Sequence, residues 1–531
     1  MWIDFEGIDG SGKTTVSTRV AESLRRQGIP VVHAREGGRF ASPIAGRVRD
    51  LARSMDCLFL APQTELLLNL AREAQLVAEV VRPALDRGQW VITDRTIYSH
   101  LGLARSVRGM SGSELDAAAR VAAQGIVPDR VFVIDVDPDV ARWRRRIRKI
   151  RDRRLNDPGR KGQLGDALAA RTRKAFLDQA SEDGWTVLDN TWRSLDQTVD
   201  SVLAALGGRR ERPGARKFTA DPDHLLDSYF AFADGIDDRA LAALLVAGLG
   251  DVRADRIRRS ASADVAAYAV SGMNSPGAWS LRDDLKHEAP FYVARGLAGL
   301  AGLDRAWTLR RELDASVPDQ VVHSLAGDSG DEAHGLRERH WDEHAEESVR
   351  STMGVSDERS WSLRDRARSE SPSAGLAESV TGLDTAAARE IRKELRQDHP
   401  LAVLRSVRGL ASTDAWILRN ELSRVAPKAV MASMTGLGGS EAHSLRSSLR
   451  ALAPEETAAS FAGLDTPESW AWREEMKHEA PIGVIKSLLG MESGRADLLV
   501  TEIVAAHPHR LRVAREAVQF RMNAKCTNSS I

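Results

Sequence analysis

The chain has 531 residues, too many for one ordinary core, so two or more domains are expected. Lys+Arg and Asp+Glu are both 75, so net charge singles out no anionic partner, and 42% hydrophobic with 28% charged residues is a globular composition. The two cysteines, Cys57 and Cys526, form no CxxC and no metal pattern, no apolar run matches a membrane span, and no basic leader precedes the first strand. The expectation is a cytoplasmic protein without a membrane partner.

From Met1 to Leu206, short apolar runs alternate with amphipathic stretches. Strands are predicted at Trp2–Glu6, Val31–Ala34, Trp90–Thr93, Val131–Asp135 and Thr186–Leu188, with helices between them such as Thr14–Gln27, Gln63–Arg87 and Asp137–Ile150. Such alternation predicts an α/β domain over 1–206, a parallel sheet with helices on both faces. The Gly/Arg-rich run Gly207–Gly214 opens a linker expected over 207–222.

From 223 to 531 the pattern becomes a repeat. Arg282, Arg310, Arg337, Arg364, Arg392, Arg419, Arg446 and Arg473 recur every 27 or 28 residues. Ten or eleven positions before each stands a glycine, from Gly272 to Gly463, and eight positions after each stands a proline, except at Ala345. An N-cap oxygen from Asp304, Asp357, Asp414 or Asp465 opens a short helix, and proline stops it. A second helix, such as Ala429–Thr435, ends at glycine. One pair cannot bury its apolar face and stacking does, so an all-α solenoid of 27-residue helix-pair repeats is expected. Trp279, Trp307, Trp361, Trp416 and Trp470 are repeat positions and account for 12 tryptophans against 4 tyrosines. Arg282 stands three residues after Trp279, on the same helical face, where guanidinium can stack on indole.

Two uses of this region remain open: a surface for a protein partner, favoured because acids such as Asp283, Glu312, Glu394 and Glu474 interleave, or an arginine track for nucleic acid. His323, His334, His340 and His344 lack a ligand rhythm and read as surface residues.

The chemistry sits at the N-terminus. Gly7-Ile8-Asp9-Gly10-Ser11-Gly12-Lys13-Thr14 matches GxxxxGK[ST] between an apolar strand and a helical pattern. Glycines let backbone N–H groups wrap phosphates, Lys13 would reach the β/γ-phosphates and the Thr14 hydroxyl would bind Mg²⁺; Thr15 closes the nucleotide-binding run. Thr93-Asp94-Arg95 ends the third strand, where parallel sheets bind ligands. Asp94 could position Mg²⁺ and Arg95 the transferred phosphate, or the two could form a structural pair. The basic run Arg142–Arg154 reads as a lid over the triphosphate, the alternatives being a solvated face or a nucleic-acid patch.

Residues 1–206 resemble the thymidylate kinase family. The resemblance is carried by Phe5–Thr15, by Arg35-Glu36-Gly37-Gly38, by Val81-Arg82-Pro83-Ala84-Leu85 with Val91–Arg95, and by Pro128-Asp129-Arg130-Val131. It implies transfer of the γ-phosphoryl of ATP, with Mg²⁺, to a nucleoside monophosphate, dTMP first among them. It also implies Asp9 near the acceptor sugar, Arg95 between the two phosphates, and Arg35, Asn69, Arg72 and Ser99 around the acceptor. An arginine among Arg145, Arg148 and Arg151 would close the lid, and a homodimer of this domain is compatible. Departures fall on the acceptor side: Thr96 replaces a tyrosine, Asn69 the base-stacking phenylalanine, and Glu73 the base-contacting arginine, with Arg72 adjacent. Two functions follow: a nucleotide kinase with an appended interaction domain, or a nucleotide-binding sensor or scaffold with little turnover.

Overall fold

The structure is a computed structural model that describes residues 1–54, 57–106, 108–110, 113–155, 163–165, 167–206, 217–491 and 493–528. It forms two compact units, Met1–Arg146 with Asn156–Ala215, and Ile147–Leu155 with Arg216–Ile531. Gly207–Gly214 lies outside the described residues.

The first unit is built on a parallel sheet of β1 (Trp2–Glu6), β2 (Val31–His33), β3 (Trp90–Asp94), β4 (Arg130–Asp135) and β5 (Thr186–Asp189), in the order β2-β3-β1-β4-β5. All five residues of β1 are buried, the carboxylates Asp4 and Glu6 among them, as befits a central strand of a parallel sheet covered on both faces. Helix α1 (Lys13–Arg26) lays Val16, Val20, Ala21 and Leu24 on one side of the sheet, against Ile3, Phe5, Ile92, Phe132 and Ile134. Burying each of those larger side chains contributes roughly 1.5–3 kcal/mol. The helices that follow are α2 (Pro43–Arg53), α3 (Pro62–Leu76) and α4 (Arg82–Asp86). The opposite side of the sheet is covered where Val77, Val81 and Ala84 pack on Trp2 and Val91.

The single helix expected over Gln63–Arg87 is thus divided: a wide turn, Val77–Val81, separates α3 from α4. Pro83 explains it, because a proline has no N–H for the helical ladder and the backbone re-registers just before it. Then come α5 (Ile97–Ser106), α6 (Ser113–Ala123), α7 (Pro138–Arg151), α8 (Ala167–Asp183) and α9 (Leu195–Leu206). Among the described residues no helix is long and apolar enough to cross a membrane.

In the second unit, short helices alternate from Pro222 onward, and the second helices of consecutive pairs stack in sequence order. Six of the repeat prolines, Pro290, Pro318, Pro400, Pro427, Pro454 and Pro481, do not stop the first helix; they open the second one, at its first position. A proline's missing N–H costs nothing there and its φ is already helical. Where Ala345 replaces proline, the same kink persists: His344 has φ −134 and ψ 43, close to Ala289 with φ −129 and ψ 52. The aspartate caps were placed one or two residues off in three of four cases. Asp357 accepts from the Ser360 amide as expected, but Asp304 and Asp414 lie inside their helices. Asp465 instead accepts from the Trp470 indole, and Thr466 forms the cap.

The repeat arginines are buried, with Arg310, Arg337, Arg364 and Arg419 at 0% exposure. In Arg419, Nε donates to Ser433 Oγ at 3.0 Å, and Nη2 donates to Val407 O at 2.8 Å and Ser433 O at 3.1 Å. The same set recurs in Arg310, Arg337, Arg364 and Arg392. Each guanidinium therefore joins the C-terminal carbonyls of two successive second helices, where the helix dipoles place negative potential. The expected stacking holds: Arg282, Arg364 and Arg419 stand 4.6, 4.6 and 4.5 Å from the Trp279, Trp361 and Trp416 ring centroids. A buried column cannot track a phosphate backbone, which removes the arginine-track reading. His334 is also buried rather than on the surface, and pairs with Asp357 at 3.0 Å.

Candidate functional site

The loop between β1 and α1 is shaped by glycines that nothing else could replace. A Cβ on Gly7 would lie 2.5 Å from Ile134 O, and one on Gly10 would lie 2.4 Å from Ala141 O. Gly12, at φ 94, is the N-cap of α1 and offers no side-chain cap, so the first-turn N–H groups are left for an anion. Ser11 Oγ is buried without a hydrogen-bond partner among the described residues. Asn190, at the end of β5, donates from Nδ2 to Ser11 O at 2.6 Å and holds the loop from the far side. Ile8 is buried, Thr15 exposed.

Lys13 is buried, donating to Ile8 O at 3.3 Å, with Asp9 3.8 Å away. Burial, with Arg95 adding repulsion, pulls its ammonium down to about 8 despite Asp94, Asp9 and Glu6. The Thr14 hydroxyl donates to Asp94 Oδ2, which also takes Arg35 Nη1 at 3.1 Å. Burial pushes the Asp94 carboxyl up, but Lys13, Arg35 and Arg95 outweigh it and hold it low. Its Oδ1 is buried and has no partner among the described residues. An ionised carboxylate oxygen left open beside a threonine hydroxyl is the donor set of a hard divalent cation or its water.

Arg95 adopts φ 82, a left-handed conformation unusual for a long side chain and typical of strained functional positions. Its Nη2 donates to Asp9 Oδ1 at 2.6 Å and its Nη1 to Ser99 Oγ at 2.7 Å. Beneath it lies Glu6, fully buried, which accepts from the Thr96 and Ser99 amides and the Ser99 hydroxyl. Glu6 was not expected as a site residue; its signal was a carboxylate at the carboxyl end of the strand, two residues after the buried Asp4. Asn190, at the end of another strand, was missed too.

The other residues expected around the acceptor sit on α3 and α5. Asn69 turns back on its own helix, donating to Glu65 O at 2.8 Å. Arg72 is buried; its Nε donates to Glu73 at 3.0 Å and its Nη2 lies 2.6 Å from His100 Nε2. Burial pushes Glu73 up, yet Arg72 and His100 reverse this and hold it at about 2. Phe40 lies 5.1 Å from the Arg35 guanidinium and 5.5 Å from that of Arg72. Arg72 is thus already engaged by a carboxylate, and His100 touches both Arg72 and Glu73.

Of the three basic-run candidates, Arg145 donates to the Asp9 carbonyl, inside the phosphate loop. Arg144 donates to Thr191 O at 3.2 Å. Arg148 and Arg151 are exposed and belong to the second unit.

A parallel sheet whose central strand feeds a glycine loop, with Lys13, Thr14, Asp94 and Arg95 converging at its carboxyl edge, defines a P-loop phosphotransferase of the nucleoside monophosphate kinase class. The family model for thymidylate kinase matches residues 5–202. The thymidylate kinase of Bifidobacterium longum strain NCC 2705 is 36% identical over 211 residues, 39% of this chain and 95% of that protein. That of Nitratidesulfovibrio vulgaris strain DP4 is 35% identical over 212 residues, 39% of this chain and 94% of that protein. A solved thymidylate kinase structure from Ehrlichia chaffeensis matches with 25% identity and a TM-score of 0.30, over 39% of this chain and 98% of that one. Through its N-terminal part, the chain belongs to the thymidylate kinase family.

Proposed function

We propose that residues 1–206 transfer the γ-phosphoryl of ATP to a nucleoside monophosphate, with dTMP to dTDP as the lead reaction, and that the helix pairs beyond them bind a protein partner. The observation that carries the reading is the convergence of Lys13, Thr14, Asp94 and Arg95 on one glycine loop. On this reading the loop amides and Lys13 hold the β/γ-phosphates, while Thr14 and Asp94 Oδ1 would hold Mg²⁺, which supplies charge neutralisation when bound. Arg95, anchored by Asp9 and Ser99, faces the acceptor phosphate, and Arg145 screens charge on the transferred group. Family resemblance supports the thymine base, with Asn69 and Arg72 in the acceptor wall and Arg35 fixing Asp94.

One observation favours a second reading. Arg72 is bound to Glu73 and His100, and Asn69 to its own helix, so the wall presents neither a stacking ring at position 69 nor an uncommitted guanidinium at 72. A nucleotide-binding sensor or scaffold with little turnover would tolerate that. Incubating the purified chain with ATP, Mg²⁺ and each common (deoxy)nucleoside monophosphate, with Lys13→Ala as control, separates the two. Diphosphate product, greatest with dTMP, supports the kinase. ATP binding with no product from any acceptor supports the sensor and overturns the kinase.

A further inference from the structure

Strand β1 does more than lead into the phosphate loop. Its residues Asp4 and Glu6 lie two apart, so both carboxylates point to one face, and both are buried. That face meets the turn that follows β3. Asp4 accepts from the Thr93 hydroxyl at 2.8 Å and from the Thr96 hydroxyl at 2.9 Å. Glu6 Oε1 accepts from the Thr96 amide at 3.1 Å and the Ser99 amide at 3.2 Å, and its Oε2 takes the Ser99 hydroxyl. Thr96 precedes α5 and Ser99 is its third residue, so Glu6 supplies from a neighbouring strand the negative cap that a helix start favours.

The residue trapped between these anchors is Arg95. Its amide donates to Phe5 O at 3.1 Å, the next amide goes to Glu6, and the backbone between them holds φ 82. A left-handed conformation is unfavourable for arginine and persists only where its neighbours over-determine it. The side chain is held in the same way. Nη1 donates to Ser99 Oγ at 2.7 Å with Glu6 Oε2 3.8 Å away, and Nη2 donates to Asp9 Oδ1 at 2.6 Å. A fully buried carboxylate is tolerated only where donors and an opposite charge meet it, and Glu6 has both. The phosphate loop begins at Gly7, one residue beyond Glu6, so the end of β1 carries both the loop and the pin that fixes Arg95 against it.

We infer that Glu6 is a positioning residue for phosphoryl transfer: through Ser99 and the start of α5 it fixes where the Arg95 guanidinium stands beside the phosphate loop. Its effect on the reaction runs through Arg95. The activity part of this inference rests on the kinase reading above; the placement of Arg95 does not.

The test uses the full-length chain and Glu6→Gln, which keeps the shape of the side chain and removes its charge. The Thr96 and Ser99 amides should exchange roughly five- to tenfold faster, since a neutral acceptor holds them less tightly than a carboxylate. In the kinase assay, kcat/KM for the acceptor should fall roughly 10- to 100-fold, while ATP affinity by isothermal titration stays within about threefold. On an Arg95→Ala background the same change should lower kcat/KM by less than about threefold further, because the group it positions is gone. Ser99→Ala, which removes the hydroxyl between Glu6 and Arg95, should show a similar loss, and it takes over as the test should Glu6→Gln fail to fold. Wild-type kcat/KM in Glu6→Gln overturns the inference, as does a fully additive loss on the Arg95→Ala background. Absence of turnover in the wild-type chain overturns the kinase reading instead. Exchange at Thr96 and Ser99 then decides: quickened rates in Glu6→Gln support the placement of Arg95 by Glu6, and unchanged rates overturn it.

Discussion

Arg419→Met should destabilise the repeats although it removes a buried charge. The methionine matches the aliphatic stem of arginine but makes none of its three hydrogen bonds, to Ser433 Oγ, Val407 O and Ser433 O. Bonds from a charged donor are each worth about 1.5–3 kcal/mol, and a dry guanidinium–indole contact about 2 kcal/mol. Against them stands the cost of stripping water from the charge. Burial alone pulls Arg419 down to about 10, on the order of 3 kcal/mol. The balance leaves Arg419→Met less stable by about 3–8 kcal/mol. The two carbonyls keep one donor each, from the Leu410 and Gly409 amides, which limits the loss. Urea unfolding followed by circular dichroism reads it. Arg419→Lys should fare almost as badly, because an ammonium cannot reach three acceptors from one plane. An Arg419→Met chain as stable as wild type would mean the guanidinium is a tolerated burden, as some buried ion pairs are, and the capping account would be wrong.

Other outcomes follow from the nucleotide loop. Gly10→Ala should weaken ATP binding by roughly 30- to 100-fold, since its Cβ would strike Ala141 O at a left-handed φ; isothermal titration measures it. Because Lys13 sits near 8 in the free protein and must be protonated to hold a triphosphate, ATP affinity should fall as pH rises through about 8. The limiting slope is about tenfold per pH unit, and Lys13→Arg should flatten it. Asp94→Asn should cut kcat by about 100- to 1,000-fold and raise the Mg²⁺ needed for half-maximal rate, because it neutralises the open carboxylate beside Thr14.

What could be read from the sequence is what backbone patterning controls. Strands β1, β3 and β4 were legible because central parallel strands are largely buried and rich in apolar residues, whereas β5, with Val187 exposed, was marked only by its short apolar run. The phosphate loop was legible because its glycines have no substitutes. Proline was misread because a helix stop and a helix start look alike when a few residues separate them. The arginine register was visible and its burial was not. The interleaved acids, which weighed for a protein-partner surface over an arginine track, pair with other cations from repeat to repeat: Asp284 with Arg259, Glu312 with Lys286, Glu394 with Arg368, and Glu421 with Arg396. The Arg72–Glu73–His100 group was invisible because it joins two helices distant in sequence, and nothing local to either marks the pairing.

The arginine column has a direction. Arg337 donates to Leu325 O and Arg364 to Thr352 O, each reaching back to the preceding pair. A second helix is therefore completed only by the guanidinium of the repeat that follows it. On a ribosome, where the N-terminal end emerges first, each second helix leaves the tunnel with the guanidinium of its own repeat already made and that of the following repeat still to be polymerised. The growing chain always carries one unfinished end, and that end moves forward by one repeat at a time until the last helices are made.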